Sequence, residues 1–130
     1  MADAPKPLAP AWFEAAAALV RGLVARSRVP EDAGHAEDTL CWLERLRPDA
    51  DWALRLAALA HDLDRALPDD LRVHREDFAD YDDFKAAHAA NSARVLARIL
   101  HDVRAPTDAI RKATYFVLHH ETGKPDDPAL

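Results

Sequence analysis

The sequence predicts an all-α protein, a single-domain helical bundle of about five main helices. Three observations support this prediction. Apolar residues recur every three or four positions through most of the 130 residues. No segment alternates apolar and polar residues as a strand does, and prolines interrupt the periodic segments at Pro30, Pro48 and Pro106.

Each predicted element follows from this periodicity and from its end signals. We expect Asp49 or Asp51 to cap the third helix and Thr107 or Asp108 to cap the fifth. Residues 68–83 are polar, acidic and aperiodic, so they are predicted to form a long loop with at most a short helical turn, of the kind that often carries function. The predicted helices cover, to within a few residues, 11–27, 31–47, 51–67, 81–103 and 107–120.

The domain is expected to span residues 11–130, after a flexible N-terminal tail, residues 1–10, which contains three prolines. The tail has no hydrophobic signal core, and no apolar run approaches the ~20 residues of a membrane span, so a cytoplasmic protein without a membrane partner is predicted. The apolar face of the first helix at Trp12 and Phe13 can pack in the core or against a second copy, which leaves the oligomeric state open.

Composition narrows the function further. Hydrophobic residues make up 49% and charged residues 31%, which is typical of a globular protein. The net charge of −6 argues against binding a nucleic-acid duplex, although it is compatible with a local basic pocket for one phosphate. The single cysteine, Cys41, excludes an internal disulfide, and we expect it to be a small buried apolar residue.

Histidines on the helices are the main functional signal. One histidine on an apolar face is usually a satisfied core residue, but four helices are predicted to turn one inward. Buried imidazoles need partners, and a divalent metal ion can satisfy several at once. His101 and His74 are predicted to lie on the surface. The four inward histidines are His35, on a face with Thr39, Trp42 and Leu46; His61, with Leu54 and Ala57; His88, with Phe84 and Val95; and His120, with Ile110, Ala113 and Val117.

Asp62 directly follows His61 in the sequence LAHDLDR. Adjacent helical residues point about 100° apart, so both can reach one metal ion only near the edge of a helix face. The alternative is a surface carboxylate that pairs with an arginine. His119 is expected to splay away from His120 unless the helix ends there.

This ordered set resembles the HD-domain superfamily of metal-dependent phosphohydrolases, over roughly residues 31–123. The resemblance implies one or two divalent ions (Mn, Fe, Mg, Co or Zn). The string HHETG is similar to a segment of the cyclic-dinucleotide phosphodiesterase branch, whose Gly-Tyr-Pro signature is absent, so that substrate is not implied. By this resemblance His35, His61 and Asp62 bind the first ion, His88, His119 and His120 bind a second ion or the phosphate, and Glu31 is a possible further ligand.

The resemblance also implies a reaction, hydrolysis of a small phosphoester or nucleotide by a metal-activated water. Asp62 and Arg65 would be catalytic, and Arg65 stands where HDIGK-type motifs carry a lysine near the substrate phosphate. Arg72, Lys85 and Lys124 are further candidates for binding the substrate. Two alternatives stay open: a degenerate, non-catalytic HD-type bundle used for binding or structure, and a di-iron HD-type oxygenase.

One feature departs from the family. Its members place a last metal-ligating aspartate on a helix after the paired histidines, whereas Asp126 and Asp127 lie here in the loop-like sequence KPDDPAL. Three explanations are open: one of these aspartates substitutes, the last ligand is missing, or the chain is a truncated form.

Overall fold

Five α-helices form a small bundle in the computed structural model, which describes residues 8–120. Short 3-10 turns lie at Leu63–Ala66 and Arg75–Asp77, both between the third and fourth helices. No strand occurs within residues 8–120, so the predicted all-α class is confirmed. The helices are α1 (Ala11–Val24), α2 (Glu31–Leu46), α3 (Trp52–Ala60), α4 (Tyr81–Asp102) and α5 (Thr107–His119).

The short helix α3 lies at the centre of the bundle. Its sequence WALRLAALA is apolar around most of its circumference, as expected for a helix packed on several sides. It contacts α1, α2 and α5, and Leu56 and Ala60 are completely buried. Phe13 of α1 packs in the core against Trp52, with ring centroids 4.6 Å apart. His61, at the end of α3, therefore emerges among several helices.

The helix caps agree only in part with those predicted from the sequence. Asp51 caps α3, as one of the two predicted candidates, and accepts a hydrogen bond of 2.9 Å from the Leu54 amide. For α5 the predicted cap is wrong: Pro106 holds the capping position without a side-chain bond, and Thr107 is the first helical residue. Proline already fixes a suitable backbone angle there, so a hydroxyl or carboxylate cap is not required.

The face of α2 that carries His35 does not turn inward, contrary to the prediction. Trp42 is 60% exposed and Leu46 73% exposed, because α2 buries the neighbouring stripe of Ala36, Leu40 and Leu43 instead. The two stripes are only about 100° apart, so periodicity alone does not separate them. Cys41 is exposed as well, which corrects the expectation that it is buried.

The long segment between α3 and α4 is irregular, as predicted, with the 3-10 turn Arg75–Asp77 as its short helical part. The third helix ends earlier than predicted, at Ala60 instead of about Leu67. None of the helices within residues 8–120 combines the length and apolar character needed to cross a membrane.

Candidate metal site and the adjoining cavity

The early end of α3 brings His61 and Asp62 together. His61 keeps helical backbone angles as the last turn closes, but Asp62 leaves the helix with φ −114° and ψ 27°. This change of direction removes the separation of about 100° that a continuous helix would impose. The two side chains converge, and His61 Nε2 lies 3.2 Å from Asp62 Oδ2.

His35 of α2 completes a cluster of three possible metal ligands. Its Nε2 lies 4.0 Å from Asp62 Oδ2, although the side chain is more than half exposed. One ligand atom from each of His35, His61 and Asp62 lies within 4.8 Å of the other two. His61 Nδ1 is 2.8 Å from the Ala58 carbonyl oxygen. A hydrogen bond from one ring nitrogen to a carbonyl oxygen commonly orients an imidazole whose other nitrogen binds a metal ion.

The other predicted ligands lie at different distances from this cluster. The His120 ring stands 5.2 Å from the His61 ring, centroid to centroid, and its Nδ1 is 2.6 Å from the Val117 carbonyl oxygen. His119 packs instead against Tyr115, with ring centroids 4.4 Å apart. Glu31 is exposed in the first turn of α2, and within residues 8–120 neither it nor His119 belongs to the three-ligand cluster. His101 is exposed, as predicted, and His74 is half-buried beside the Asp69 carbonyl oxygen.

Asp62 divides its two oxygens between two sides of the site. Oδ2 faces His61 and His35, whereas Oδ1 lies 3.1 Å from His88 Nε2. Burial alone would raise the pKa of Asp62, but the hydrogen bonds from His61 and His88 outweigh it and hold that pKa well below its usual range. Asp62 is therefore ionised at neutral pH.

His88 is held between two carboxylates. Its Nδ1 lies 2.9 Å from Asp64 Oδ2, on the side opposite Asp62. Burial opposes a charge on His88, but both hydrogen-bonded aspartates favour it and raise the pKa of His88 to about 9. At neutral pH the ring is protonated, so in this arrangement His88 acts as a cation that donates to both carboxylates.

Asp64 anchors this side of the site and was not among the predicted residues. Its side chain is buried, and Oδ1 accepts bonds from the Asn91 side chain at 2.6 Å and the Val73 amide at 2.9 Å. Its own amide donates to Ser92 Oγ at 2.9 Å. The available signal was the spacing: Asn91 and Ser92 follow His88 by three and four positions and thus share its face of α4.

A cavity of about 360 Å³ opens beside Asp62 and His88. Three of the predicted substrate-binding cations, Arg65, Arg72 and Lys85, line it together with Arg28, which sequence reasoning missed because it stands in a connection without a motif. Tyr81 and Phe84 add an aromatic wall. Lys124, Asp126 and Asp127 lie outside the described residues, as does most of the predicted N-terminal tail.

A second concavity, an apolar groove of about 330 Å³, lies on the other side of the cluster. His35, His61 and His120 line it, along with Trp42 and Phe116. The three possible ligands therefore stand between a cavity rich in cations and a groove rich in apolar side chains.

Comparison of the chain with protein-family models, with curated proteins and with solved structures found no significant match. A function for the chain has to be argued from the residues of the site.

Proposed function

We propose that the protein is a metal-dependent phosphohydrolase of the HD type, which acts on a small phosphoester or nucleotide. The observation that carries this proposal is the cluster of His35, His61 and Asp62 at the edge of a cation-lined cavity. Four basic side chains line that cavity together with the Asp62 and Asp64 carboxylates, in a chain of net charge −6, so cations stand beside the cluster where a phosphate would enter.

The donor set fits a divalent metal ion. Two imidazole nitrogens and one carboxylate oxygen suit Mn²⁺, Fe²⁺, Co²⁺ or Zn²⁺ better than Mg²⁺, which prefers oxygen ligands. His35, His61 and Asp62 would hold the ion. When bound, such an ion supplies Lewis acidity, which polarises a phosphoryl oxygen and lowers the pKa of water.

The surrounding residues complete the proposed chemistry. Arg65 and Lys85 line the cavity and can neutralise the phosphate through charge-assisted hydrogen bonds. His88 carries a proton on Nε2, the atom that faces Asp62, and Asp64 holds the opposite side of the ring. Carboxylates engage both ring nitrogens, so His88 orients Asp62 and adds positive charge to the cavity wall.

The test uses metal-stripped full-length protein. On addition of Mn²⁺ or Fe²⁺ we expect bound metal by elemental analysis, a higher melting temperature and turnover of p-nitrophenyl phosphate. His61→Ala should abolish all three responses. His101→Ala removes an exposed histidine on α4 and is the matched control, expected to behave as wild type.

Two results separate the alternatives. Metal binding without turnover of any phosphoester would favour a non-catalytic HD-type bundle or a di-iron oxygenase. An unchanged melting temperature and no turnover with either metal would contradict the proposal outright.

A further inference from the structure

The three arginines around the cavity fall into two groups, each held by a different carboxylate. Asp32 Oδ2 engages Arg65 Nε at 3.1 Å. Asp69 Oδ1 engages both Arg28, at 3.2 Å, and Arg72, at 2.9 Å. Arg65 and Arg72 both lie in the connection between α3 and α4, whereas Arg28 lies in the connection between α1 and α2.

The arginines of the second group have donor capacity beyond what Asp69 uses. Each guanidinium has five N–H donors, whereas one exposed Asp69 oxygen accepts a hydrogen bond from Arg72 and forms an ion pair with Arg28. Among the described residues, Arg72 Nε is buried without a hydrogen-bond partner. One guanidinium can bind a carboxylate or phosphate through two parallel hydrogen bonds, and a second arginine on the same anion adds further donors.

The first group lies in the field of the candidate metal site. Asp32, through its hydrogen bond, and Asp62, through its charge, both raise the pKa of Arg65. Arg65 is therefore the cation placed to serve a phosphoryl group next to Asp62. Arg28 and Arg72 line the same cavity, but their common partner is Asp69. Asp69 lies in the connection that follows the 3-10 turn Leu63–Ala66.

We propose that Arg28 and Arg72 form a second anion subsite, which binds a carboxylate or second phosphate of the substrate while its phosphoryl group lies at the Asp62 end. This inference rests on the proposed function for the role of the Asp62 end. Without substrate, the Asp69 carboxylate is the anion that contacts both arginines. The substrate class is then a small phosphoester that carries a second, separated negative charge.

The test compares ligands that differ only in the second anion. Linear ω-carboxyalkyl phosphates, beginning with phosphoglycolate, are paired with n-alkyl phosphates of the same chain length, and α,ω-bisphosphates form a third series. Binding to the full chain is measured by titration calorimetry with Mn²⁺ and again with chelator. At the best length the added anion should tighten binding by roughly three- to tenfold, as expected for a charge-assisted bond that is partly exposed to solvent.

Three variants assign that gain to the subsite. Arg28→Gln should remove the preference for the second anion, so that each carboxyalkyl phosphate binds no more tightly than its n-alkyl partner. Asp69→Asn should increase the preference, because the competing carboxylate is gone. Arg98→Gln is the matched control: Arg98 is exposed and paired with Asp102 on α4, and its loss should leave the preference intact.

The outcomes distinguish this inference from the proposed function. An Arg28-dependent gain in either series supports the subsite, even if no ester is hydrolysed, and the larger gain identifies the anion. Hydrolysis of the esters with no gain at any length would overturn the subsite and leave the hydrolase intact. The same holds if Arg28→Gln and Arg98→Gln have equal effects.

Discussion

The two sides of Asp62 differ in how their residues are held. On one side, His88 and Asp64 are buried, and hydrogen bonds join them to Asn91, Ser92 and the Val73 amide. On the other side, His35 is more than half exposed, and its closest approach to Asp62 is 4.0 Å. The Asp62 carboxylate thus links a buried hydrogen-bond network on one side with a more exposed histidine on the other.

This difference indicates that one side of Asp62 supports the fold, whereas the other side is open to a ligand. Buried, satisfied networks contribute specificity and are costly to break, whereas an exposed imidazole contributes little to folding. The Asp64 side therefore fixes the orientation of His88 and Asp62. The His35 side leaves Asp62 Oδ2 beside two imidazoles that are suited to a metal ion.

The largest effect is expected from Asp64→Ala. It removes a buried carboxylate and one of the two hydrogen-bonded carboxylates that hold the charged His88, so the free energy of unfolding should fall by about 3–5 kcal/mol. Urea denaturation of the metal-free protein measures this. Asp69→Ala, which removes an exposed carboxylate, is the control and should cost much less stability. Equal losses would show that the Asp64 network is not a structural support.

The charge of His88 predicts a loss of stability at alkaline pH. Its pKa is about 9 in the folded protein against 6.5 for the free side chain, so the folded state binds this proton more tightly. The contribution is complete below pH 6.5 and is lost as the pH rises through 9. Between pH 6 and 10 the metal-free protein should lose up to about 3 kcal/mol.

Urea denaturation in the presence of a chelator measures this profile. His88→Gln should flatten it, and His101→Gln should keep it. A profile that stays unchanged in His88→Gln would mean that the doubly paired imidazolium does not form.

A smaller loss is expected from Asn91→Ala. The Asn91 amide donates to Asp64 at 2.6 Å and to the Leu71 carbonyl oxygen at 3.0 Å, and its loss leaves a buried carboxylate oxygen with one donor fewer. We expect a cost of about 1–3 kcal/mol in thermal or urea unfolding. Arg94→Ala, which removes the side chain that contacts Asn91 from the solvent side, should cost clearly less.

The smallest effect on folding is expected from His35→Ala. The side chain is exposed, so the metal-free protein should keep its stability within about 0.5 kcal/mol. The same variant should lose much of the rise in melting temperature that we expect Mn²⁺ to produce in wild type. A large loss of stability without metal would instead make His35 part of the folded support.

Sequence patterns predicted the helices well because amphipathic periodicity and capping act locally. Asp51 caps α3 as one of two predicted candidates, and α4 ends within one residue of the predicted boundary. Local patterns did not predict that α3 ends at Ala60, since its apolar residues continue to Leu63. That break depends on the backbone at Asp62 and on packing against α4, which are not properties of the local sequence.

Residue types alone indicated part of the candidate site, because histidines and aspartates are common metal ligands. The side chains of His35, His61 and Asp62 lie close together. The adjacent His-Asp pair and the earlier histidine had suggested this proximity. Arg28 and Asp64 were not predicted, because an arginine in a connection and an aspartate in a turn are ordinary surface residues by composition. Only the tertiary structure brings Arg28 to the cavity and buries Asp64 against α4.

The central claim is that His35, His61 and Asp62 together bind a divalent metal ion. The most direct test is anomalous diffraction from crystals of the full chain grown with Mn²⁺. We predict a strong anomalous peak in contact with the side chains of His35, His61 and Asp62. No peak at these residues, or Mn²⁺ found only on exposed carboxylates elsewhere, would contradict the account.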